Sequence, residues 1–190
     1  MATLETNQSP SLSTTYSLGA VAIIWICFVF SGATGLLYEV LWARMLGLVF
    51  GATTLAVSTV LAAFMGGLAL GSALAGRFSR VLKRPLLIYG LMEIGIACYA
   101  LLVPFFFRAI DDVYAAIWQQ FHPGFFSFSI WRFVLSCLLL LAPTTLMGAT
   151  LPVLTAALLR SSSYSANSVT RLYMCNLAGA IVGTIAAGFL

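Results

Sequence analysis

Five long apolar stretches, separated by short polar segments, organise this chain. They cover about residues 18–45, 52–76, 85–107, 129–159 and 172–190. Because about 20 predominantly apolar residues cross the hydrocarbon core of a bilayer as a helix, each stretch is a candidate transmembrane span. The first two form one run that is too long for a single crossing, and Gly47 and Gly51 are the expected hinge. The pattern predicts an all-α, polytopic transmembrane helical bundle of about five spans.

Three segments of the chain do not fit a simple apolar span. The fourth stretch exceeds a simple crossing, so we expect Pro143 and Pro152 to kink or split it, with PTTLMGATLP as an irregular piece. Residues 108–121 have apolar side chains at helical spacing but are too polar to span. They predict an amphipathic helix along the outer membrane surface, or alternatively an exposed helix that docks a partner. Residues 1–17, rich in serine and threonine, predict a disordered tail.

The composition supports a membrane environment. Hydrophobic residues make up 62% of the chain, charged residues only 7%, and the mean hydropathy is +1.05. Soluble domains carry about a quarter charged residues, so water is excluded as the main solvent. The net charge of +4 comes from basic residues spread along the chain, which does not favour nucleic-acid binding. The four cysteines form no CxxC pair, and the sequence predicts neither a metal site nor a cofactor.

The basic residues predict an orientation in the bilayer. The connection between the second and third spans contains a basic cluster, Arg77, Arg80, Lys83 and Arg84. Cytoplasmic loops carry an excess of lysine and arginine, so this loop is expected in the cytoplasm. Counting spans from it places the N-terminus and residues 160–171, which Arg160 and Arg171 flank, on the same side.

Glu39 and Arg44 are charged residues inside the first apolar run. They lie about 140° apart around a helix and would not meet as an ion pair. If the span begins near Leu18, about 20 residues bring it to the outer interface, where Trp42 fits the aromatic belt and Arg44 can snorkel. Glu39 fits this interpretation less well, because a short carboxylate near hydrocarbon needs a partner.

Glu93 and Asn176 are polar residues within the third and fifth spans. Glu93 lies about 12 Å along the helix from Pro85, close to mid-depth, where an acidic residue is a candidate functional site. Alternatively, Glu93 is a neutral acid that hydrogen-bonds a neighbouring helix. For Asn176 an interhelix hydrogen bond is favoured.

Small residues recur every four positions on two predicted helices. They are Gly67, Gly71 and Ala75 on the second span, and Gly179, Gly183 and Ala187 on the fifth. Such seams let helix backbones approach closely, either within the chain or between two copies.

Several ordered segments resemble one family of membrane proteins. SGATGLLYEVLWARMLGLVFG, LLLLAPTTLMGATLPVL and LYMCNLAGAIVGTIAAGFL resemble the transmembrane region of the spermidine-synthase-like proteins, bacterial polytopic proteins often fused to an aminopropyltransferase-type domain. GSALAGRFSRVLKRP also resembles the loop between the second and third helices of the major facilitator superfamily, without its usual acidic residue. The resemblance implies a transporter-like module of the bacterial inner membrane, associated with polyamines or similar cations. The catalytic domain of those relatives has no counterpart in this chain, so aminopropyl transfer is not assigned to it.

The sequence leaves three functions open. In the first, Glu39 and Glu93 line a cavity that binds a cationic solute or a coupling proton. Because five spans are few for alternating access, this function is expected to need a dimer or a missing C-terminal half. The expected protein partners are further copies of the chain, in a homo-oligomer, or other membrane subunits. In the second, the chain is an accessory or structural subunit that uses its glycine seams and amphipathic helix as contact surfaces. In the third, it anchors a separate aminopropyltransferase-type domain.

Overall fold

Five helices build this chain in the computed structural model, which describes residues 18–50, 53–79, 81–121, 124–160 and 166–189. They are α1 (Leu18–Phe50), α2 (Thr54–Phe78), α3 (Pro85–Phe121), α4 (Phe125–Leu159) and α5 (Ala166–Phe189). No strand occurs within those ranges, which confirms the predicted all-α bundle. The predicted disordered tail, residues 1–17, and Arg80 of the basic cluster lie outside the described residues.

All five helices are long and apolar enough to cross a membrane. Large apolar side chains cover their outer faces; Leu101 is 76% exposed and Leu138 is 72% exposed. Polar side chains such as Ser136 and Thr144 are instead fully buried. An apolar exterior around buried polar groups suits lipid and would be unfavourable in water. These features indicate a multi-pass membrane protein.

Most basic residues of the described chain lie at one end of the bundle, whereas Arg44 on α1 and Arg108 on α3 lie towards the other end. Arg160, directly after α4, donates hydrogen bonds to the carbonyls of Leu82 and Ser79 in the α2–α3 connection. Arg77, at the end of α2, and Lys83 are exposed nearby. We call this the basic end and the opposite one the far end.

α3 is one continuous helix of 37 residues. The separate surface helix predicted over residues 108–121 is therefore wrong as an independent element, although the segment is helical. No glycine or proline lies between Phe107 and Phe121 to end the helix, and Pro104 is accommodated inside it. At about 1.5 Å per residue α3 is about 55 Å long, so its last turns extend beyond a core of about 30 Å.

α4 also runs unbroken, through Pro143 and Pro152. The segment PTTLMGATLP is helical rather than irregular, which corrects the sequence prediction. A proline lacks the N–H group that would bond the carbonyl four residues earlier, so Pro143 leaves the Leu139 carbonyl without its helical donor. The Tyr99 hydroxyl of α3 donates a hydrogen bond to that carbonyl. A neighbouring helix thus supplies the missing donor, and α4 can remain helical.

Glycine seams make the closest contacts between helices. Among the described residues, six glycines leave no room for a Cβ atom against the neighbouring helix: Gly32, Gly67, Gly71, Gly148, Gly179 and Gly183. A methyl group at Gly71 would overlap the Thr145 carbonyl of α4, and one at Gly183 would overlap the Ala33 carbonyl of α1. The most extensive helix contacts are accordingly α2 with α4 and α1 with α5. Both seams are occupied within one chain.

Buried apolar side chains form two clusters, one towards each end of the bundle. The cluster at the basic end includes Phe28, Tyr89 and Leu154. The cluster at the far end includes Trp42 and Val103. Between the clusters, the helices carry small and polar residues, which form a middle layer: Ser31, Gly32, Gly67, Gly71, Glu93 and Thr144.

Trp42 belongs to the core, and its predicted role as an interface anchor is wrong. Its side chain is 3% exposed, stacks on Tyr38 with ring centroids 5.3 Å apart, and meets Tyr99 edge-on at 6.3 Å. Because α1 continues to Phe50, about two turns beyond Trp42, this residue lies within the bundle rather than at its boundary. Arg44 on the same helix is exposed.

Candidate functional site

A carboxyl group lies between α1 and α3 in the middle layer. Glu93 follows Tyr89 of the basic-end cluster by one helical turn and precedes Tyr99, which packs on the far-end cluster. The Ser31 hydroxyl of α1 donates a hydrogen bond of 2.6 Å to Glu93 Oε1. Both side chains are half-buried. This bond joins two helices at a depth where a carboxyl group has few alternatives to a protein partner.

The Tyr89 hydroxyl is a second polar group at this position. Tyr89 is 5% exposed, and its ring meets Phe28 edge-on with centroids 6.3 Å apart. Its hydroxyl lies close enough to Glu93 and Ser31 to interact electrostatically with both. It nevertheless makes no hydrogen bond of good geometry within the described residues. A buried hydroxyl without a partner is unfavourable, and such groups are uncommon in folded proteins.

These groups line a groove of about 380 Å³ between α1 and α3. Its remaining walls are mostly apolar or aromatic and include Phe30, Tyr38 and Ile96. Thr34 also lines the groove, but its hydroxyl donates to the carbonyls of α1 itself. Since Phe30 is 65% exposed, the groove opens at the outer surface of the five-helix bundle. Its volume falls within the range of small-molecule sites, about 300–1,000 Å³.

A larger groove of about 510 Å³ runs along α4. The described residues of its walls, which include Phe133, Leu138 and Leu141, carry no carboxyl, amino or guanidinium group. Their side chains are almost all apolar, as suits an acyl chain. The smaller α1–α3 groove is the candidate functional site because polar groups converge in it.

Glu39 lies elsewhere in the bundle. Its side chain is 9% exposed and is not among the residues that line the α1–α3 groove. It lies eight positions after Ser31 on α1, about 12 Å along the axis. By helical spacing it shares a face with Trp42 and Leu46 of the far-end cluster. No hydrogen bond or ion pair to Glu39 occurs within the part of the chain that the structure describes.

Asn176 and Arg44 lie outside this groove as well. The Asn176 side-chain amide donates to the Phe28 carbonyl at 3.1 Å and so links α5 to α1. Gly32 faces it so closely that a Cβ atom there would overlap the Asn176 carbonyl. This is the interhelix contact that the sequence favours for Asn176. The exposed Arg44 lies about 20 Å along α1 from Ser31.

Two groove residues, Ser31 and Tyr89, were not singled out from the sequence. The sequence contains a signal for Tyr89, because this residue lies four positions before Glu93 and therefore shares its helix face. For Ser31 the sequence contains no such signal. Its role depends on α1 being the helix next to Glu93, which no local pattern encodes.

Comparisons with family models, curated proteins and solved structures found no match to this chain. The resemblance to the transmembrane region of spermidine-synthase-like proteins therefore stays a prediction.

Proposed function

We propose that this chain is a transporter-like membrane module that binds a cationic solute, an organic amine, at Glu93 in the α1–α3 groove. The observation that carries the proposal is the Glu93 carboxyl in the middle layer, which accepts a hydrogen bond of 2.6 Å from Ser31 at one wall of a mostly apolar and aromatic groove. A carboxylate at that depth is unfavourable without a cationic partner, so it attracts a positively charged ligand. A polyamine is the amine that the family resemblance suggests.

The test is binding of radiolabelled amines to the purified chain in nanodiscs of uncharged lipid. Hexylammonium and spermidine serve as probes, and empty nanodiscs report partition into lipid. Glu93→Gln removes the charge but keeps an acceptor for the Ser31 hydroxyl, so it should fold normally and lose binding. Asp112→Asn is the matched control, because Asp112 is an exposed acid on the same helix and outside the groove. Equal binding by wild type and Glu93→Gln would refute the proposal.

Transport requires more than this bundle. Because the groove opens at the outer surface, a cation bound there would face lipid unless further helices cover α1 and α3. A homo-oligomer or another membrane subunit would supply them. Cys27 is exposed and lines the groove, so it reports on a second copy seated across it. Oxidative cross-linking in native membranes should give a dimer that Cys27→Ser abolishes; a chain that stays monomeric would contradict the homo-oligomer.

We also propose that the basic end faces the cytoplasm of a bacterial inner membrane, with the N-terminus on the same side. Arg77, Lys83 and Arg84 are exposed at that end, as the positive-inside rule expects of a cytoplasmic loop. A cysteine introduced as Lys83→Cys, with the native cysteines replaced by serine, should react with a membrane-impermeant maleimide only after spheroplasts are lysed. Labelling of intact spheroplasts would reverse the orientation.

The accessory-subunit alternative has less support. It relied on the glycine seams as contact surfaces, but Gly71 and Gly183 are enclosed by α4 and α1 of the same chain. What remains for a partner subunit is the amphipathic segment 108–121 at the end of α3 and the outer apolar surface, which lipid also covers. The alternative predicts a stable hetero-complex after mild detergent extraction. Native mass measurement would detect that complex.

A further inference from the structure

We propose that the α1–α3 groove selects a singly charged ammonium ion with an apolar body over di- and polycations. This inference rests on the proposed function and narrows its ligand class. It departs from the polyamine that the family resemblance suggests, because spermidine carries three ammonium groups at neutral pH.

The number of carboxyl groups in the groove walls limits how many ammonium groups of one ligand can be paired. Glu93 is the only carboxyl group among the described residues that line the groove. Glu39 lies about 12 Å further along α1, and the exposed Asp112 lies about 28 Å from Glu93 along α3. One ammonium group can therefore pair with a carboxylate. A second one on the same ligand would lie against apolar side chains, where an unpaired charge is unfavourable.

The polar groups around Glu93 fit an ammonium head. An ammonium ion has three N–H donors, and the Ser31 and Tyr89 hydroxyl oxygens have lone pairs to accept from it alongside the carboxylate. Tyr89 is 5% exposed, and its hydroxyl lies close to Glu93 and Ser31 but makes no hydrogen bond of good geometry within the described residues. An ammonium group bound beside Glu93 would give this hydroxyl a well-aligned donor. The two hydroxyl oxygens and the two carboxylate oxygens are too few for Ca²⁺, which takes six to eight oxygen ligands.

The rest of the groove fits an apolar body. Ile96 and Ala97 provide an aliphatic wall, and Phe30 and Tyr38 provide aromatic rings. Aromatic faces also attract a cation within about 6 Å of the ring centroid, so they are compatible with the head as well as the body. Besides the neutral hydroxyls of Thr34 and Tyr38, these surfaces offer no polar side chain, and no second carboxylate among the described residues, to pair with another charged end. The walls thus match a ligand that is charged at one end only.

The experiment compares ligands that share a carbon chain and differ in charge. Hexylammonium, 1,6-diaminohexane and spermidine are each titrated against the full chain in nanodiscs of uncharged lipid, with empty nanodiscs subtracted. We expect hexylammonium to bind at least about tenfold more tightly than 1,6-diaminohexane, because the diamine must place one charge in an apolar environment. Tyr89→Phe should weaken hexylammonium binding about threefold or more, since one acceptor is lost.

The outcomes separate this inference from the proposed function. If the diamine or spermidine binds as tightly as hexylammonium and Glu93→Gln abolishes that binding, the charge limit is wrong while the amine site stands. If no amine binds, or if Glu93→Gln binds all three like the wild type, the amine site itself is refuted. Size-exclusion profiles and circular dichroism of each variant show whether it has folded. Asp112→Asn again controls for loss of an acidic residue outside the groove.

Discussion

Removing the Tyr99 hydroxyl should destabilise the bundle, because Pro143 leaves the Leu139 carbonyl dependent on it. Tyr99→Phe keeps the ring that packs edge-on against Trp42 and tilted against Phe106, and deletes only the donor. A buried acceptor left without a donor costs about 1–3 kcal/mol in soluble proteins. Hydrogen bonds between transmembrane helices average about 0.6 kcal/mol and reach about 1.7. We therefore expect a loss of about 1 kcal/mol, about fivefold in the unfolding equilibrium.

A double-mutant cycle with Pro143→Ala isolates this contact. An alanine at position 143 restores the backbone N–H group, which can bond the Leu139 carbonyl within α4 itself. In that background the Tyr99 hydroxyl is no longer needed, and Tyr99→Phe should cost at most a few tenths of a kcal/mol. The coupling energy between the two substitutions is then about 1 kcal/mol, which is measurable for residues in one hydrogen-bond network.

Equilibrium unfolding in mixed micelles with increasing sodium dodecyl sulfate provides the assay. Tyr173→Phe is the control, because Tyr173 is 52% exposed and its hydroxyl makes no hydrogen bond to any described residue. It should leave the free energy of unfolding unchanged within a few tenths of a kcal/mol. If Tyr99→Phe were equally destabilising with proline and with alanine at position 143, the hydroxyl would not be compensating for the proline.

Three further substitutions test the packing. Gly71→Ala should lower the free energy of unfolding by about 1–3 kcal/mol, because the added methyl group overpacks against α4. Gly66→Ala is the control and should be neutral or slightly stabilising, because Gly66 has open space around it. Equal effects of the two substitutions in the same unfolding assay would contradict a buried seam. Ser136→Ala should be neutral or stabilise by up to about 1 kcal/mol, since that buried hydroxyl has no partner among the described residues; a clear loss would reveal an interaction. Arg160→Gln should loosen the α2–α3 connection, because it weakens the hydrogen bonds to the 79–84 loop; faster proteolysis of that loop is expected, and an unchanged rate would contradict it.

The number and rough position of the spans could be predicted from the sequence. Length and apolarity are properties of each segment alone, and a segment of this kind has few alternatives to a helix in lipid. Predicted ends near Met45 and Gly76 differ by a few residues from the observed Phe50 and Phe78. The orientation in the membrane follows from charge alone and stays a prediction.

The predictions that were wrong or incomplete concern residues whose structural role depends on contacts with other side chains. Pro143 was expected to interrupt α4, because a local rule cannot include the Tyr99 hydroxyl that arrives from α3. Trp42 was assigned to the interface because the end of α1 was placed too early and its stacking partners were unknown. Glu93 was identified from its depth, but its bond to Ser31 requires α1 and α3 to be adjacent. Helix adjacency was the missing information for Pro143 and Glu93, and for Trp42 the length of α1 was missing as well.

The distribution of close packing explains why the candidate site lies where it does. Without a hydrophobic driving force in lipid, helices associate through tight packing and hydrogen bonds. Glycines let α1 join α5 and α2 join α4 at backbone contact distance, and α3 packs mainly on α4. The α1–α3 boundary is sparse by comparison and is bridged by the Ser31–Glu93 bond. Under the proposed function, a ligand would enter at this boundary by displacing few apolar contacts, and the polar groups that bridge the gap are the same ones that would bind it.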